Sequence, residues 1–467
     1  MMAENQDRGR RSKWLVVGIL VAALSGVAYW FLVANASPDD RPEGTLADIA
    51  SLRDRDDLNV LFVVIDTLRS DRLSAYGYER GTSPTLDYLS QTGVRFDQHR
   101  AQSSWTKSSM ASLWTGLYPI RTDVLRHTDA VPEVAVLPAE IFQEAGFVTG
   151  GIWRNGWVAP NFGFSQGFDI YQTPAGQQAP ASMRSEAKAG RIDGTDIDLV
   201  FTATEFLRSN MDERWFLYLH FMDVHQYITT EETAVFGSTY SDIYDNSILW
   251  TDSQFGEIIM ELYRLGLASK TLIVVVSDHG EAFGEHGAEG HARDLFSEVT
   301  LTPFILSFPF RMAQSGVVRS QTENVDVWPT VLDMLGLPGL EEPDGQSRVE
   351  LLLGRQPIPR LDLGFAQLDR NWGQLEKEES ALLAVRKGSL RFIHDVEDPK
   401  RDLLYDIDMD PAEQRNIKDD RAAEVQELLE EAERHLALDP LWRGGSESVE
   451  IDEMQMRQLR ALGYSIE

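Results

Sequence analysis

Four stretches of this 467-residue chain consist almost wholly of aliphatic and aromatic side chains, and each has the length of a β-strand: 60–65 (VLFVVI), 216–221 (FLYLHF), 272–276 (LIVVV) and 304–308 (FILSF). A strand with one face in water alternates apolar and polar residues. An unbroken run demands burial of both faces, as in a parallel sheet covered by helices. Helical patterns lie between the runs. Ser83-Pro84 pairs a capping residue with a proline at the first helical position, and Gly93 closes that segment. A second pattern, over 245–265, carries apolar residues at Ile248, Leu249, Phe255, Ile258, Ile259 and Leu262. The chain therefore reads as an α/β fold with a mixed, mostly parallel central sheet flanked by helices. Its main domain is expected over 58–345. Over 346–467, short strands at 382–393 and 403–407 and a charged amphipathic helix at 422–438 predict a small C-terminal α+β subdomain completing the fold.

The N-terminus obeys a different constraint. Residues 14–33 are 20 positions without a charge, preceded by Arg8, Arg10, Arg11 and Lys13 and followed by Asp39 and Asp40. That length crosses a hydrocarbon core as a helix, and the cationic flank stays in the cytoplasm. The expectation is a cytoplasmic basic tail at 1–13, a single-pass transmembrane anchor at 14–33, a polar linker at 34–57 and an extracytoplasmic remainder at the cell membrane. Ala34-Asn35-Ala36 has the small-x-small form of a cleavage site. A cleaved leader, leaving a secreted or periplasmic protein, is therefore the other reading.

Two counts narrow the chemistry. With 43 basic and 74 acidic side chains the net charge is −31. No nucleic-acid partner is expected, because phosphate contacts need clustered Lys and Arg. Cysteine is absent, which removes disulfides, thiolate metal sites and Cys nucleophiles together.

Ligands of an open α/β sheet sit beyond the carboxyl ends of its strands. Three acidic residues stand there: Asp66 after the first run, Asp223 after the second and Asp278 after the third. Asp223-x-His225 and Asp278-His279 each pair an oxygen donor with an imidazole. Five of the nine histidines (His220, His225, His279, His286 and His291) fall between 220 and 291. Carboxylates and imidazoles without thiolates suit a divalent cation such as Mn, Zn, Mg or Ca. A further element is SSWTKSSM at 103–110, where Thr106 stands at the start of a predicted helix that Gly116 ends. A threonine there either caps the helix or serves as a nucleophile where helix-terminal N–H groups favour an anion.

These residues carry a resemblance. The block from NVLFVVIDTLRSD through SSWTKSSMASLWTGLYP resembles the N-terminal signature of the sulfatase family, within the alkaline phosphatase superfamily. Likeness continues through FLYLHFMDVH, SDHGEAFGEHG, VDVWPTVLDMLGLP and LLYDIDMDPAEQRN to LRALGY. The resemblance implies an alkaline-phosphatase/sulfatase-like fold and a metal-dependent ester hydrolase. By position, Asp66, Asp278 and His279 match metal ligands, and Thr106 matches both the nucleophile and a ligand. His225 and His291 match catalytic or anion-binding histidines. Asp223, His225 and His291, with Arg154 and Asn155, are candidates for a second metal or for anion binding.

Departures from the family pattern matter as much. Sulfatases carry C-x-P-x-R or a serine variant whose first residue becomes formylglycine; this chain has Thr106-Lys107-Ser108-Ser109-Met110, so no formylglycine is expected. Where sulfatases carry G-K-W-H-L-G, this chain has Gly151-Ile152-Trp153-Arg154-Asn155-Gly156. Threonine in the first position resembles the superfamily's phosphodiesterases and phosphotransferases, so phosphate-ester substrates are expected before sulfate esters. A true sulfatase without formylglycine, a phosphoryl transferase on envelope polymers and a noncatalytic protein of this fold are the alternatives.

Overall fold

The unbroken apolar runs form the middle of one eight-stranded sheet in the computed structural model, which describes residues 39–174, 176, 194–355, 363–461 and 466. In chain order the strands are β1 (Asn59–Ile65), β2 (Val94–Arg100), β3 (Val148–Ile152), β4 (Ile170–Gln172), β5 (Trp215–Phe221), β6 (Thr271–Val276), β7 (Phe304–Ser307) and β8 (Gly316–Glu323). Their order across the sheet is β8-β2-β7-β6-β1-β5-β3-β4. Only β7 runs antiparallel to its neighbours β6 and β2; the other pairings are parallel. Every residue of β1, β5, β6 and β7 is buried, the two-sided burial that their composition requires. Val63 of β1 lies level with Leu219 of β5 and Val275 of β6, so these three strands end together at one pole.

Helices cover both faces. The principal ones are α1 (Pro84–Thr92), α2 (Thr106–Thr115), α3 (Asp196–Ser209), α4 (Tyr240–Arg264), α5 (Val327–Met334) and α6 (Ala422–Leu436). Helix α4 starts earlier than the hydrophobic pattern placed it. Thr239 and Asp242 close a reciprocal capping box ahead of the apolar stripe. Beneath α2 and α5 the core is aromatic, with the Trp328 ring centroid 4.5 Å from Phe62 and 5.4 Å from Trp114.

The C-terminal region is α+β. Strands β9 (Leu363–Asp369), β10 (Ala381–Lys387), β11 (Leu390–Asp395) and β12 (Leu403–Asp406) form an antiparallel meander. Together with α6 they enclose a small core that includes Leu383, Phe392, Leu404 and Leu428. Other residues of this region, including Val349, Leu352, Leu368 and Trp372, belong to the main core. The boundary near 346 is thus a change of texture within one packed body.

The linker expectation needs correction. Residues 39–57 are folded onto the domain: Arg41 is buried and donates to Ser307 Oγ at 2.8 Å and Phe308 O at 2.9 Å, while Ile49 and Leu52 enter the core. A polar average hid one anchoring guanidinium and two well-spaced apolar side chains. The tail at 1–13 and the anchor at 14–33 lie outside the described residues. Among the described residues no helix is long and apolar enough to cross a membrane.

His99 on β2 gives a pH test of this packing. Its Nε2 donates to Asn324 Oδ1 at 2.7 Å and its Nδ1 accepts from the Thr322 hydroxyl at 3.0 Å. Burial, only partly opposed by the Asn324 contact, pulls the imidazole from 6.5 down to about 3. An unfolded chain binds that proton first. The stability His99 contributes is therefore complete above about pH 6.5 and lost as pH falls toward 3. The thermal midpoint is expected to drop across this window, with a shallower slope in His99→Gln. An unchanged slope in that variant would refute the assignment.

Candidate active site

The shared pole of β1, β5 and β6 brings together the residues that the sequence spacing singled out. Asp66 follows β1 directly, Asp278 and His279 follow β6, and Thr106 opens α2. Trp105, not Thr106, occupies the helix cap position and makes no side-chain cap bond. Thr106 is the first helical residue, so the capping role does not describe it. The first amide to close an intrahelical bond is Ser109 N, to Trp105 O at 3.0 Å. The preceding N–H groups have no acceptor within the helix.

Each acidic side chain has one oxygen committed and one left over. Asp66 Oδ2 accepts from Asn155 Nδ2 at 2.6 Å and His220 Nε2 at 3.0 Å. Asp278 Oδ1 accepts from the amides of Thr67 at 3.2 Å and His279 at 3.0 Å. Asp66 Oδ1 and Asp278 Oδ2 are buried and receive no hydrogen bond. His279 Nδ1 donates to Gly280 O at 2.9 Å, which leaves Nε2 as a lone-pair donor 3.1 Å from Thr106 Oγ1 and 3.3 Å from Asp278 Oδ2. Asn155 Nδ2 also reaches Thr106 Oγ1, at 3.3 Å.

Ligand atoms of Asp66, Asp278 and His279 all lie within 4.8 Å of one another, the one such group among the described residues. Two carboxylate oxygens that receive no hydrogen bond converge with an imidazole lone pair. Leaving such oxygens buried and unpaired is costly, so the donor set fits a divalent cation. The titration of the pair points the same way. Burial pushes Asp66 up, but His225, His220 and His279 outweigh it and hold the carboxyl well below the usual range. Asp278 is pushed up by burial and by the Asp66 charge. Two adjacent carboxylates resist joint ionisation until a positive charge joins them.

Beside this group opens a cavity of about 540 Å³, lined in part by His225, Tyr227, Glu281, His291, Arg293 and Trp372. The rings of His225 and His291 are 5.0 Å apart, and His291 is 4.5 Å from His279. Burial lowers His225 to about 4. Burial also pulls His291 down, but the Glu281 carboxylate, 3.2 Å from Nδ1, more than offsets it.

Two expected site residues are elsewhere. Arg154 Nη1 donates to Asp196 Oδ1 at 2.6 Å and Asp223 Oδ1 at 2.5 Å; its Nη2 reaches Gly194 O and Gln226 Oε1. The other oxygen of Asp223 accepts from the Asp196 amide and Trp250 Nε1. All three charged side chains are fully buried. Both oxygens of Asp223 and both terminal nitrogens of Arg154 are therefore committed to this buried network, which leaves Asp223 no oxygen for a second metal. Asn155 is in the site, touching Asp66 and Thr106.

His220, counted in the histidine cluster, is the residue to which the sequence assigned no role. Its Nε2–H fixes Asp66 and its Nδ1 accepts from Tyr218 OH at 2.6 Å. The available signal was a histidine facing β1 near the end of an otherwise apolar strand, level with Val64.

Comparison with known proteins places this geometry. The family model described as Sulfatase matches residues 58–337, and that of the N-sulphoglucosamine sulphohydrolase C-terminal region matches 284–438. The N-acetylgalactosamine-6-O-sulfatase of Bacteroides thetaiotaomicron is 24% identical, with 80% of this chain and 92% of that protein aligned. The low-salt glycan biosynthesis sulfotransferase of Haloferax volcanii is 25% identical, over 87% and 96%. In structure the chain is similar to the phosphonate monoester hydrolase of Agrobacterium radiobacter, with a TM-score of 0.68, 22% identity, and 84% of this chain and 100% of that chain covered.

Metal content tests the site directly. Protein purified without chelator is expected to carry one divalent cation per chain by elemental analysis, and Asp66→Asn to lose it. His220→Phe is expected to weaken binding by about tenfold to a hundredfold, as lost support of a ligand does. Full cation occupancy in Asp66→Asn would rule out this ligand set.

Proposed function

The chain belongs to the sulfatase family, and on that premise we propose that it is a metal-dependent ester hydrolase whose nucleophile is the Thr106 hydroxyl. The observation that carries this reading is the position of Thr106 Oγ1, 3.1 Å from His279 Nε2 and 3.3 Å from Asn155 Nδ2, against two buried carboxylate oxygens without partners. Asp66, Asp278 and His279 would hold the cation, with Thr106 beside it. A divalent cation in that position supplies charge that favours the ionised hydroxyl and offsets the oxyanion under attack.

The chain's own residues do the rest. Asn155 donates to the Thr106 oxygen and orients it, while the first-turn amides of α2 offer N–H groups to the nonbridging oxygens. The Thr106 proton leaves to solvent through the cavity as the hydroxyl ionises; Oγ then attacks phosphorus, the bond to the leaving oxygen breaks, and that oxygen takes a proton from His291, which Glu281 holds. Water then cleaves the threonyl ester. His225, neutral at ordinary pH, faces the same cavity and suits acceptance of the water's proton.

Charge around the nucleophile favours a monoanionic group. The positions where sulfatases carry arginine and lysine hold Met110 and Ile152 here, both buried and apolar. Two carboxylates against one dication leave little surplus positive charge, which suits a phosphate diester better than a doubly charged monoester. The threonine nucleophile supports phosphorus over sulfur. A second reading, transfer of the group to an acceptor other than water, is favoured by the alignment with the sulfotransferase along most of both chains. The apolar run at 14–33 supports a membrane-attached, extracytoplasmic location.

Aryl phosphate diesters, aryl phosphate monoesters and aryl sulfates assayed together test the reading. The diester is expected to turn over fastest, and Thr106→Ala to lower that rate by about a thousandfold or more while keeping its cation. Faster turnover of the sulfate would reverse the substrate preference. Near-normal activity in Thr106→Ala would remove the nucleophile.

A further inference from the structure

The residue next to the nucleophile is a lysine that the chemistry above does not use. Lys107 has no exposed surface. Its Nζ donates to His127 O at 2.5 Å and lies 3.9 Å from the ring centroid of Phe162, 5.1 Å from Trp157 and 5.6 Å from Trp105. Among the described residues it forms no ion pair within 4 Å. Burying an amine without a contacting carboxylate is expensive. Burial pushes the amine well below its ordinary range, against the pull of the Asp129 carboxylate, and aromatic faces and one carbonyl are what surround it.

What the cage joins explains why it matters. Trp157 and Phe162 belong to the loop that follows Asn155, and Asn155 Oδ1 accepts the Trp157 amide at 2.9 Å. The Trp105 ring stacks on Trp372 at 4.5 Å and meets Trp157 edge-on at 5.3 Å. His127, whose carbonyl accepts the hydrogen bond from Lys107 Nζ, donates to Trp372 O through its amide at 2.9 Å and through Nδ1 at 3.0 Å. Trp372 in turn walls the cavity. Three segments distant in sequence therefore meet on one amine: the start of the nucleophile helix, the loop that follows Asn155, and the stretch around His127, which in turn holds the cavity-wall loop at Trp372.

We propose that Lys107 is a positioning residue, its caged amine fixing Asn155 and Trp372 relative to Thr106. This rests on Thr106 being the reacting group. Met matches the lysine stem in length and fills the cage without the amine, so a purely space-filling role would survive Lys107→Met. A positioning role would not, because small displacements of a reacting oxygen from its donor are costly in rate.

The test uses the full chain with an aryl phosphate diester. Lys107→Met is expected to keep its cation and its cooperative melt, and to lose between about tenfold and a hundredfold in kcat. Phe162→Leu, which thins the cage and spares the amine, is expected to move kcat in the same direction and covers the case in which Lys107→Met does not fold. Since Lys107 acts through Asn155, its effect is expected to shrink in an Asn155→Ala background, a coupling that independent structural losses do not show. A folded, metal-replete Lys107→Met or Phe162→Leu within twofold of the parent, or full additivity with Asn155→Ala, would overturn the proposal. Thr106→Ala separates the two readings: activity surviving there breaks the nucleophile assignment, whereas a silent Lys107→Met breaks only this one.

Discussion

Two buried carboxylate oxygens that receive no hydrogen bond, Asp66 Oδ1 and Asp278 Oδ2, set the terms for the rest of the site. Everything polar nearby is arranged to leave them so. Asn155 and His220 occupy the other oxygen of Asp66; two backbone amides occupy the other oxygen of Asp278. His279 spends its proton on Gly280 O and turns a lone pair inward. Two buried carboxylate oxygens without a donor are costly by themselves and become sensible around a positive ion. Thr106 is the one hydroxyl that the start of α2 delivers to that point.

The sheet makes the arrangement possible because its central strands end in register. Asp66 and Asp278 leave neighbouring parallel strands on the same side, and the helix that supplies Thr106 begins above them. Departures from the family pattern are absorbed locally. Arg154 bridges the buried Asp196 and Asp223, and Asn155 reaches the Thr106 oxygen. The side-chain donor that contacts the Thr106 hydroxyl there is a neutral amide.

Most of the fold was legible because two-sided burial leaves a compositional mark that survives without any alignment. The strands at 60–65, 216–221, 272–276 and 304–308 could hardly be anything else. Helix ends were less clear, since the Thr239–Asp242 capping box lies outside the apolar stripe of α4. Residues 39–57 were misjudged because a single buried Arg41 ties down a stretch that is polar on average. In the site, Asp66, Asp278 and His279 follow strands directly, so position along the chain reveals their direction. Asp223 also follows a strand, yet its orientation is decided by Arg154 and Asp196, whose meeting is a tertiary event. His220 was counted in the histidine cluster but its role was hidden, because one imidazole in an apolar strand reads as core.

The central claim is that the Thr106 oxygen becomes covalently attached to the group being transferred. Rapid quenching of the metal-loaded enzyme during turnover of a slow phosphate diester, followed by peptide mass spectrometry, reads this directly. The account predicts a phosphoryl adduct on Thr106 that forms at the rate of the first product burst and decays with turnover. Product formation at full rate with no adduct on Thr106, or with the adduct on another residue, would contradict it.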